Sequence, residues 1–563
     1  MKRWDLLPPN DEISRTLSKE LNISPITAQI LINRKILDPK NAQEFLSPRL
    51  MNLNDPFNIP DIKKGAERII LAKQRGEKVV VYGDYDVDGV TGTAILLETL
   101  KHIGMNPSYY IPYRYGEGYS LNIGAVKKLK EEGTNLIITV DCGISSFLEI
   151  EEANSLGMEV IVTDHHNIPK ELPNAYAIIN PKLIKEENTS RNLSGAGVAF
   201  KFAWGLLRTL GNNENGFLTS LLDLAALGTI ADVVPLTGEN RILAKKGLEV
   251  LKERKRLGIA ALALAAGLKE DLSIRDINFG LAPRINAAGR LEHASLAVNL
   301  LISKEAFEAE TLAKQLHGIN IKRQEIGEIM NKEISLKIKE ADIAKEKIIV
   351  MSGENWHAGV IGIIASRIVE KYYRPVVLIS INEGLGRGSA RSIDGFNVFN
   401  LLDSCRDLFI DFGGHAAAAG FAIEPMKIPE LQKRLAEALL TLDIDFTPRI
   451  TIDALLNPEQ ATLGLVEELA LLGPYGQDNP SPIFISSDLH PIDIKSVGND
   501  GAHLKIKFIG KNSATVDAIG FGLGKLKDSI NLNSNCDIVY SLERNLWNGF
   551  ESVQFNLVDV KEH

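Results

Sequence analysis

Three runs of β-branched residues in this chain each end in acid. "KVVVYGDYDVDG" (78–89) leads to Asp84, Asp86 and Asp88, "NLIITVDCG" (135–143) to Asp141, and "MEVIVTDHHN" (158–167) to Asp164, His165 and His166. Continuous Val/Ile runs separated by helical stretches such as "TAILLETLKHIG" (93–104) are the pattern of a parallel sheet buried on both faces. The carboxyl ends of parallel strands line one edge, where ligands bind. The acids should therefore meet in one crevice, joined by Asp232 of "LGTIADVVPL" (227–236). Taken singly, each has an ordinary reading. Asp-Gly is turn chemistry, Asp141 would cap a helix starting near Ser145, and Asp232 would end one. Together, so many carboxylates and an imidazole cannot all be charged and unpaired. Divalent cations resolve the conflict, and Asp/His ligation without thiolate suits Mn²⁺ or Mg²⁺ more than structural zinc. Two ions roughly 3.5–4 Å apart, with one carboxylate bridging, fit the number of acids better than one.

The 563 residues suggest roughly three or four domains. Hydrophobic content of 45% and charged content of 24% are ordinary for a globular protein. "MKRWDLLPPN" has no apolar run suited to a signal peptide, and no uncharged stretch is long enough to span a membrane, so the expected location is cytoplasmic. Cys142, Cys405 and Cys536 are lone residues, which excludes a disulfide framework or zinc knuckle. The net charge of −9 argues mildly against nucleic acid. It averages over the molecule, however, and a metal-dependent nuclease carries extra carboxylates.

The organisation expected is an α/β protein. An N-terminal helical and extended segment (1–64) precedes the parallel-sheet domain (65–235). A helical region (236–344) follows, in which Leu312, Leu316, Ile319, Ile326, Met330 and Ile334 fall at helical intervals and mark a long connector over 303–341. "KIIVM", "GVIGIIASRIVEKYY" and "PVVLIS" make a second βαβ-like stretch in a smaller α/β domain (345–448). From 449 to 563 the pattern is strict alternation: Leu504, Ile506 and Phe508 against Lys505 and Lys507, and Val553, Phe555 and Leu557 against Gln554 and Asn556. These are half-buried strands of an all-β domain. Small five-stranded OB-type barrels bind single strands with a basic groove and aromatic platforms. Lys505, Lys507 and Lys511 supply charge and Trp547, at a hairpin tip with Phe550, the stacking candidate, while Phe508 and Phe555 are expected in the core.

Two glycine-rich stretches, "GRGSARSIDGFN" (386–397) and "DFGGHAAAAG" (411–420), allow backbone N–H groups to approach an anion, with Arg391 as a fork for phosphate. They read equally as tight turns, and Gly-Gly-His before four alanines also suits a closely packed helix.

"DYDVDG", "VDCG", "TDHH" and "ADVVP" resemble the four motifs of the DHH phosphoesterases, in matching order and spacing. The resemblance implies that Asp86, Asp88, Asp141, His165 and Asp232 bind metal, with Asp141 bridging, that His166 sits beside the scissile phosphate, and that Asp84 and Asp164 support the ligands. Asp86, Asp88, Asp141 and His166 would carry catalysis. Pyrophosphatase-like relatives have histidine where this chain has Tyr82, which favours the nuclease branch. Residues 386–397 and 411–420 resemble the DHHA1 companion domain, implying that Ser389, Arg391, Gly413, Gly414 and His415 hold a terminal phosphate; "WHAGVIGIIASR" (356–367) adds His357 and Arg367. "LSGAGVAFK" (193–201) and "LAPRINAAGRL" (281–291) are similar to segments of RecJ-type exonucleases, which places Arg284, Asn286, Arg290 and Lys201 on the nucleic-acid backbone. Otherwise Arg290 would pair with Glu292 and Asn286 would cap a helix. The resemblance runs from about residue 45 to the end, without the additional C-terminal domain of some members. It implies a monomeric 5′→3′ exonuclease specific for single-stranded DNA, hydrolysing phosphodiesters by a two-metal mechanism in recombination and repair, alongside a single-strand-binding protein and a helicase. A phosphodiesterase for short oligonucleotides or cyclic dinucleotides would not need the β domain. A non-catalytic replication scaffold would have lost metal ligands that this chain keeps.

Overall fold

The computed structural model describes residues 2–212, 215–338, 346–440, 442–511, 514–547 and 549–563, the side chains of Asn215 and Trp547 excepted. The chain forms two compact units, a larger one of residues 2–282, 297–310 and 449–563 and a smaller one of residues 283–296 and 311–448.

In the larger unit a short first strand, β1 (Arg3–Leu6), precedes the strands of a sheet: β2 (Val79–Gly83), β3 (Ser108–Tyr110), β4 (Leu136–Val140), β5 (Glu159–Thr163) and β6 (Ala177–Ile179). They are all parallel, in the order β3-β2-β4-β5-β6. Val80, Tyr82, Ile137, Val160 and Val162 pack on Val126, Leu129, Ile150 and Ala153 of the helices Ile123–Glu131 and Phe147–Ser155. The other face is covered by helices that include Val87–His102, where a Cβ on Gly92 would lie 2.6 Å from Val140. Burial on both faces is why these runs are apolar throughout. β3 was not evident from the sequence, being three residues between Pro107 and Pro112. It nevertheless matters, because it sends the chain to one side of β2 before β4 returns on the other. The strand order therefore reverses between β2 and β4, the place where an open α/β sheet leaves a ligand crevice.

The smaller unit begins with Pro283–Leu296 and takes in most of a 32-residue helix, Ala306–Lys337, with Leu316, Ile319, Met330 and Ile334 buried along one side. This is the expected connector, as one helix; residues 339–341 of that expectation lie outside the described residues. Strands β7 (Ile349–Glu354) and β8 (Val376–Asn382) are parallel and joined by the helix Ala358–Tyr372. β9 (Leu385–Arg391), β10 (Phe409–His415) and β11 (Ala418–Ile423) complete a sheet of order β10-β11-β9-β8-β7. The four alanines after Gly-Gly-His form no helix, despite the helical propensity of alanine. Gly414, at φ +149°, holds the strand geometry of a β10–β11 hairpin in which His415 pairs with Ala418. Glycines of β9 also serve packing: a Cβ on Gly388 would enter the Phe421 ring.

Back in the larger unit, β12 (Arg449–Ile452) and β13 (Ala454–Leu455) lead into β14 (Phe484–Val497), β15 (His503–Ile509), β16 (Thr515–Gly520), β17 (Cys536–Trp547) and β18 (Phe550–Glu562). The last five close in the order β14-β15-β16-β18-β17, with β17 pairing back to β14. Closure removes the exposed edges of the sheet. Leu504, Ile506, Phe508, Phe555 and Leu557 fill the core as their alternation predicts. The same core takes in Leu17, Ile30, Leu31 and Phe45 from the helices Asp11–Leu21, Pro25–Asn33 and Pro39–Leu46. β1 pairs in parallel with β12, and Trp4 Nε1 donates to Asp559 at 2.9 Å. The N-terminal segment thus folds onto the barrel. Among the described residues no helix is long and apolar enough to cross a membrane.

Candidate active site at the strand ends

Asp84, Asp141 and Asp164 are the first residues beyond β2, β4 and β5. Their amides extend the sheet ladder, donating to Val140, Thr163 and Ile179 carbonyls at 3.0–3.2 Å. This pins all three to one edge, on either side of the strand-order reversal. Asp86 then caps the helix Val87–His102, accepting from the amides of Asp88 and Gly89 at 2.9 and 3.1 Å. Asp88 reaches another helix start, accepting from Gly195 and Ala196 amides at 2.5 and 2.9 Å. Asp232 closes the helix Leu222–Ala231. His165 comes within 3.1 Å of Asp141, 3.6 Å of Asp232 and 3.9 Å of Asp88, measured from Nε2 to carboxylate oxygens.

Asp164 is saturated. Its oxygens accept from the amides of Ile144, His165 and His166, and one lies 2.8 Å from His166 Nδ1. It holds the histidine loop through these bonds, which keep its pKa down despite burial. Beside it, four atoms are buried without a hydrogen bond: Asp84 Oδ1, Asp141 Oδ1, Asp232 Oδ2 and His165 Nε2. Burial first, then neighbouring carboxylates, pushes Asp84, Asp141 and Asp232 well above the usual carboxylate range and Asp88 up to about 7. Burial likewise pushes His165 down to about 3, leaving it neutral. Its Nε2 is buried without a hydrogen bond and faces the carboxylates of Asp141, Asp232 and Asp88.

Orphaned oxygen and imidazole lone pairs converging in a buried pocket are the donor set of a hard or borderline divalent cation. Candidate ligand atoms fall into the groups Asp88–His165–Asp232, Asp84–Asp86–Asp141 and Asp141–His165–His166, each with atoms within 4.8 Å of one another. Asp141 occurs in two of them, which suits a bridging position. Asp84, assigned only a supporting part from its motif, contributes an unpaired oxygen to the second group.

Gly195 makes this geometry possible. A Cβ there would lie 2.7 Å from Asp141 Cβ and 2.8 Å from its Oδ1. Gly195→Ala is therefore expected to weaken metal affinity and turnover about 10–100-fold by displacing Asp141, measured by Mn²⁺ titration of hydrolysis; unchanged titration would refute this crowding.

Models of the DHH family N-terminal domain, the DHHA1 domain and the RecJ OB domain match residues 78–229, 345–441 and 452–559. The chain is 38% identical to the single-stranded-DNA-specific exonuclease RecJ of Bacillus subtilis over 99% of its own length and 70% of that protein. With the Escherichia coli exonuclease of the same name the identity is 34%, over 98% of both chains. The chain belongs to the RecJ family. The crystal structure of Thermus thermophilus RecJ in complex with Mn²⁺ superposes with a TM-score of 0.86 at 33% identity, covering 99% of this chain and 79% of that one.

The RecJ-type segments outside the acidic edge meet different fates. In the smaller unit, strand register aligns Gly413 with Gly420 and Ser389, and His415 with Ala418 and Arg391. Arg391 Nη1 donates to Ser389 Oγ at 3.1 Å, and both lie against Gly362 of the helix Ala358–Tyr372. The sheet thus brings together the expected phosphate holders. His357 caps that helix, its Nδ1 accepting from the Gly359 amide at 3.1 Å, and Arg367 is exposed on it. Arg290 donates to the Gly359 carbonyl at 2.9 Å and Arg284 to His317 Nδ1 at 3.1 Å, while Asn286 lies inside the helix Ala282–Leu291 and does not cap it. In the barrel, Lys505 is exposed, Lys507 lies 3.8 Å from Asp517 and Lys511 3.3 Å from Asp488. Trp547 pairs with Phe550 at the hairpin; its side chain lies outside the described residues, and Phe550 is 80% exposed.

Lys201 is a correction. It is fully buried, with Nζ 2.6 Å from Glu239 and 2.5 Å from the Asn54 carbonyl, and cannot contact a strand. Sequence reasoning also missed Tyr119, Arg114 and Lys182. Tyr119 donates to the Asp141 carbonyl at 3.0 Å and lies 3.2 Å from His166 Nδ1. Arg114 stacks 4.9 Å over Tyr85, close enough for its charge to act on Asp84. Lys182 bonds Asn167 at 2.9 Å, and its charge acts on both histidines. The aromatic and Arg-bearing stretch "PYRYGEGYSLN" (112–122), directly after β3, was the available signal.

Proposed function

We propose that this chain is a metal-dependent 5′→3′ exonuclease specific for single-stranded DNA, acting in recombination and repair. The observation that carries the reading is the set of orphaned, buried carboxylate and imidazole atoms at the strand-order reversal of a RecJ-family chain. Asp88, His165 and Asp232 would hold one divalent cation and Asp84, Asp86 and Asp141 a second, Asp141 being shared; Mn²⁺ or Mg²⁺, the ions in complex with RecJ in the Thermus thermophilus crystal structures, suits these donors. When bound, such a pair activates water and neutralises charge at a phosphodiester undergoing in-line displacement.

The protein's own groups orient and charge the site. His166 would sit beside the scissile phosphate, where Asp164 orients its ring and, against burial, raises its pKa above the ordinary value. Tyr119, whose hydroxyl lies 3.2 Å from His166 Nδ1, also steadies that ring. Arg114 and Lys182 add positive charge for the non-bridging oxygens. Ser389, Arg391, His415 and the Gly413–Gly414 backbone would hold the terminal phosphate, Arg284, Asn286 and Arg290 the following backbone, and Lys505, Lys507 and Trp547 the strand at the barrel. We further propose a monomer in the cytoplasm, working beside a single-strand-binding protein and a helicase.

Digestion of a strand labelled at one end, with and without Mn²⁺ and against its duplex, tests the reading. Metal-dependent release of nucleotides from the 5′ end of the single strand supports it; equal attack on duplex, or activity in chelator, refutes it. Because the unpaired carboxylates repel one another, adding Mn²⁺ is also expected to raise the melting temperature of the larger unit, by roughly 2.7 kcal/mol of stabilisation at a hundredfold excess over Kd. An unmoved transition in differential scanning calorimetry would count against metal binding.

A further inference from the structure

The buried side of the long helix Ala306–Lys337 is apolar except at one place. Between Ile319 and Met330 it carries Asn320 and Arg323, which are 2% and 9% exposed. A guanidinium withdrawn from water normally has a carboxylate beside it. Arg323 has no ion pair among the described residues; its one hydrogen bond runs from Nη2 to Asn320 Oδ1, at 2.7 Å. Its Nε and Nη1 are not among the buried unpaired atoms, so they reach solvent. Asn320 therefore aims the fork while leaving two of its donor atoms unused.

The surroundings add positive charge. The helix Ala358–Tyr372 runs antiparallel to the long helix: Trp356 Nε1 donates to Glu333 at 3.0 Å near one end, and Gly327 faces Val360 and Ile364 at the crossing. That direction brings Arg367 beside Arg323 at the other end. Arg284, bonded to His317 one and a half turns earlier on the long helix, completes the group. Burial, then Arg367 and Arg284, lowers the pKa of Arg323, and no acidic neighbour offsets them. Three arginines close enough to act on one another are stable together when an anion joins them.

We propose that Arg323, aimed by Asn320 and flanked by Arg284 and Arg367, is a binding site for a backbone phosphate of the DNA strand, which makes the long helix part of the strand-binding surface. This rests on the reading of the chain as a single-strand exonuclease. A contact to a phosphate carries no sequence information, so the site adds affinity without sequence preference.

The test is equilibrium binding of a fluorescent, 5′-phosphorylated thymidine oligomer to the full chain in chelator, across a salt series, for the wild type, Arg323→Met, Arg323→Lys and Asn320→Ala. Loss of one phosphate contact is expected to weaken binding by Arg323→Met about tenfold at low salt and to flatten the slope of log affinity against log salt by about 0.7. Arg323→Lys should keep the wild-type slope, and Asn320→Ala should weaken binding by a smaller factor. A merely structural part would lower the melting temperature and leave the slope untouched. Wild-type affinity and slope in a folded Arg323→Met variant overturn the proposal; if that variant does not fold, unchanged binding by Asn320→Ala does so. Failure of the wild type to bind the oligomer is a separate result, and overturns the exonuclease reading itself.

Discussion

Asp141→Asn is expected to lower hydrolysis of an end-labelled single strand by about a thousandfold or more, and to leave strand binding within a few-fold of wild type. Outer groups around a metal typically matter by 10–100-fold, and a group shared between two ions should exceed that range. Asparagine is the informative replacement because residue 141 sits at φ +61°, a left-handed conformation that asparagine tolerates and alanine does not. The variant keeps the backbone, the bond from Tyr119 to the residue 141 carbonyl and the side-chain volume, and removes only the charge. Single-turnover hydrolysis in Mn²⁺, with binding measured in chelator, separates the two effects. Undiminished turnover would refute the metal assignment, whereas equal loss of binding would mean that residue 141 acts through folding.

The largest expected effect on stability lies away from the acids. Lys201→Met should destabilise the larger unit by about 3–5 kcal/mol, because it leaves Glu239 buried without its cation. Glu239 also accepts from the Asn54 amide at 2.8 Å and from Ser190, so the pair ties the loop after Leu53 to two helices. Removing both charges in Lys201→Met/Glu239→Leu should recover part of the loss. Differential scanning calorimetry of the wild type and the two variants checks this; a folded, unshifted Lys201→Met protein with weakened strand binding would restore the surface role that the sequence suggested.

What could be read in the sequence was set by range. Val79–Val81 and Leu136–Val140 announce buried parallel strands because their neighbours in the chain are equally apolar, and the aspartates after them follow from strand geometry alone. The acidic edge, the helical connector and the alternating strands of the barrel were legible for this reason. Asp84 was undervalued because its free oxygen depends on which backbone amides Asp86 and Asp88 take, and Asp88 takes those of Gly195 and Ala196. Lys201 was misread because its partner, Glu239, stands 38 residues away. "GGHAAAAG" favours a helix by composition, but its pairing with β9 decides for a hairpin. Nothing local in Leu17 or Phe45 points to a barrel made more than four hundred residues later.

That barrel has a consequence for how the protein comes into being. The apolar sides of the first three helices leave the ribosome long before the strands of residues 484–562 that cover them. The sheet between Val79 and Ile179 can assemble in the meantime, whereas the first three helices must wait, with sticky surface open to other nascent chains, until the strands of residues 484–562 have been made. Completion of β18 is therefore the event that joins the first helices and the barrel into one body, and a break within residues 484–562 would strand those helices as well as the strands.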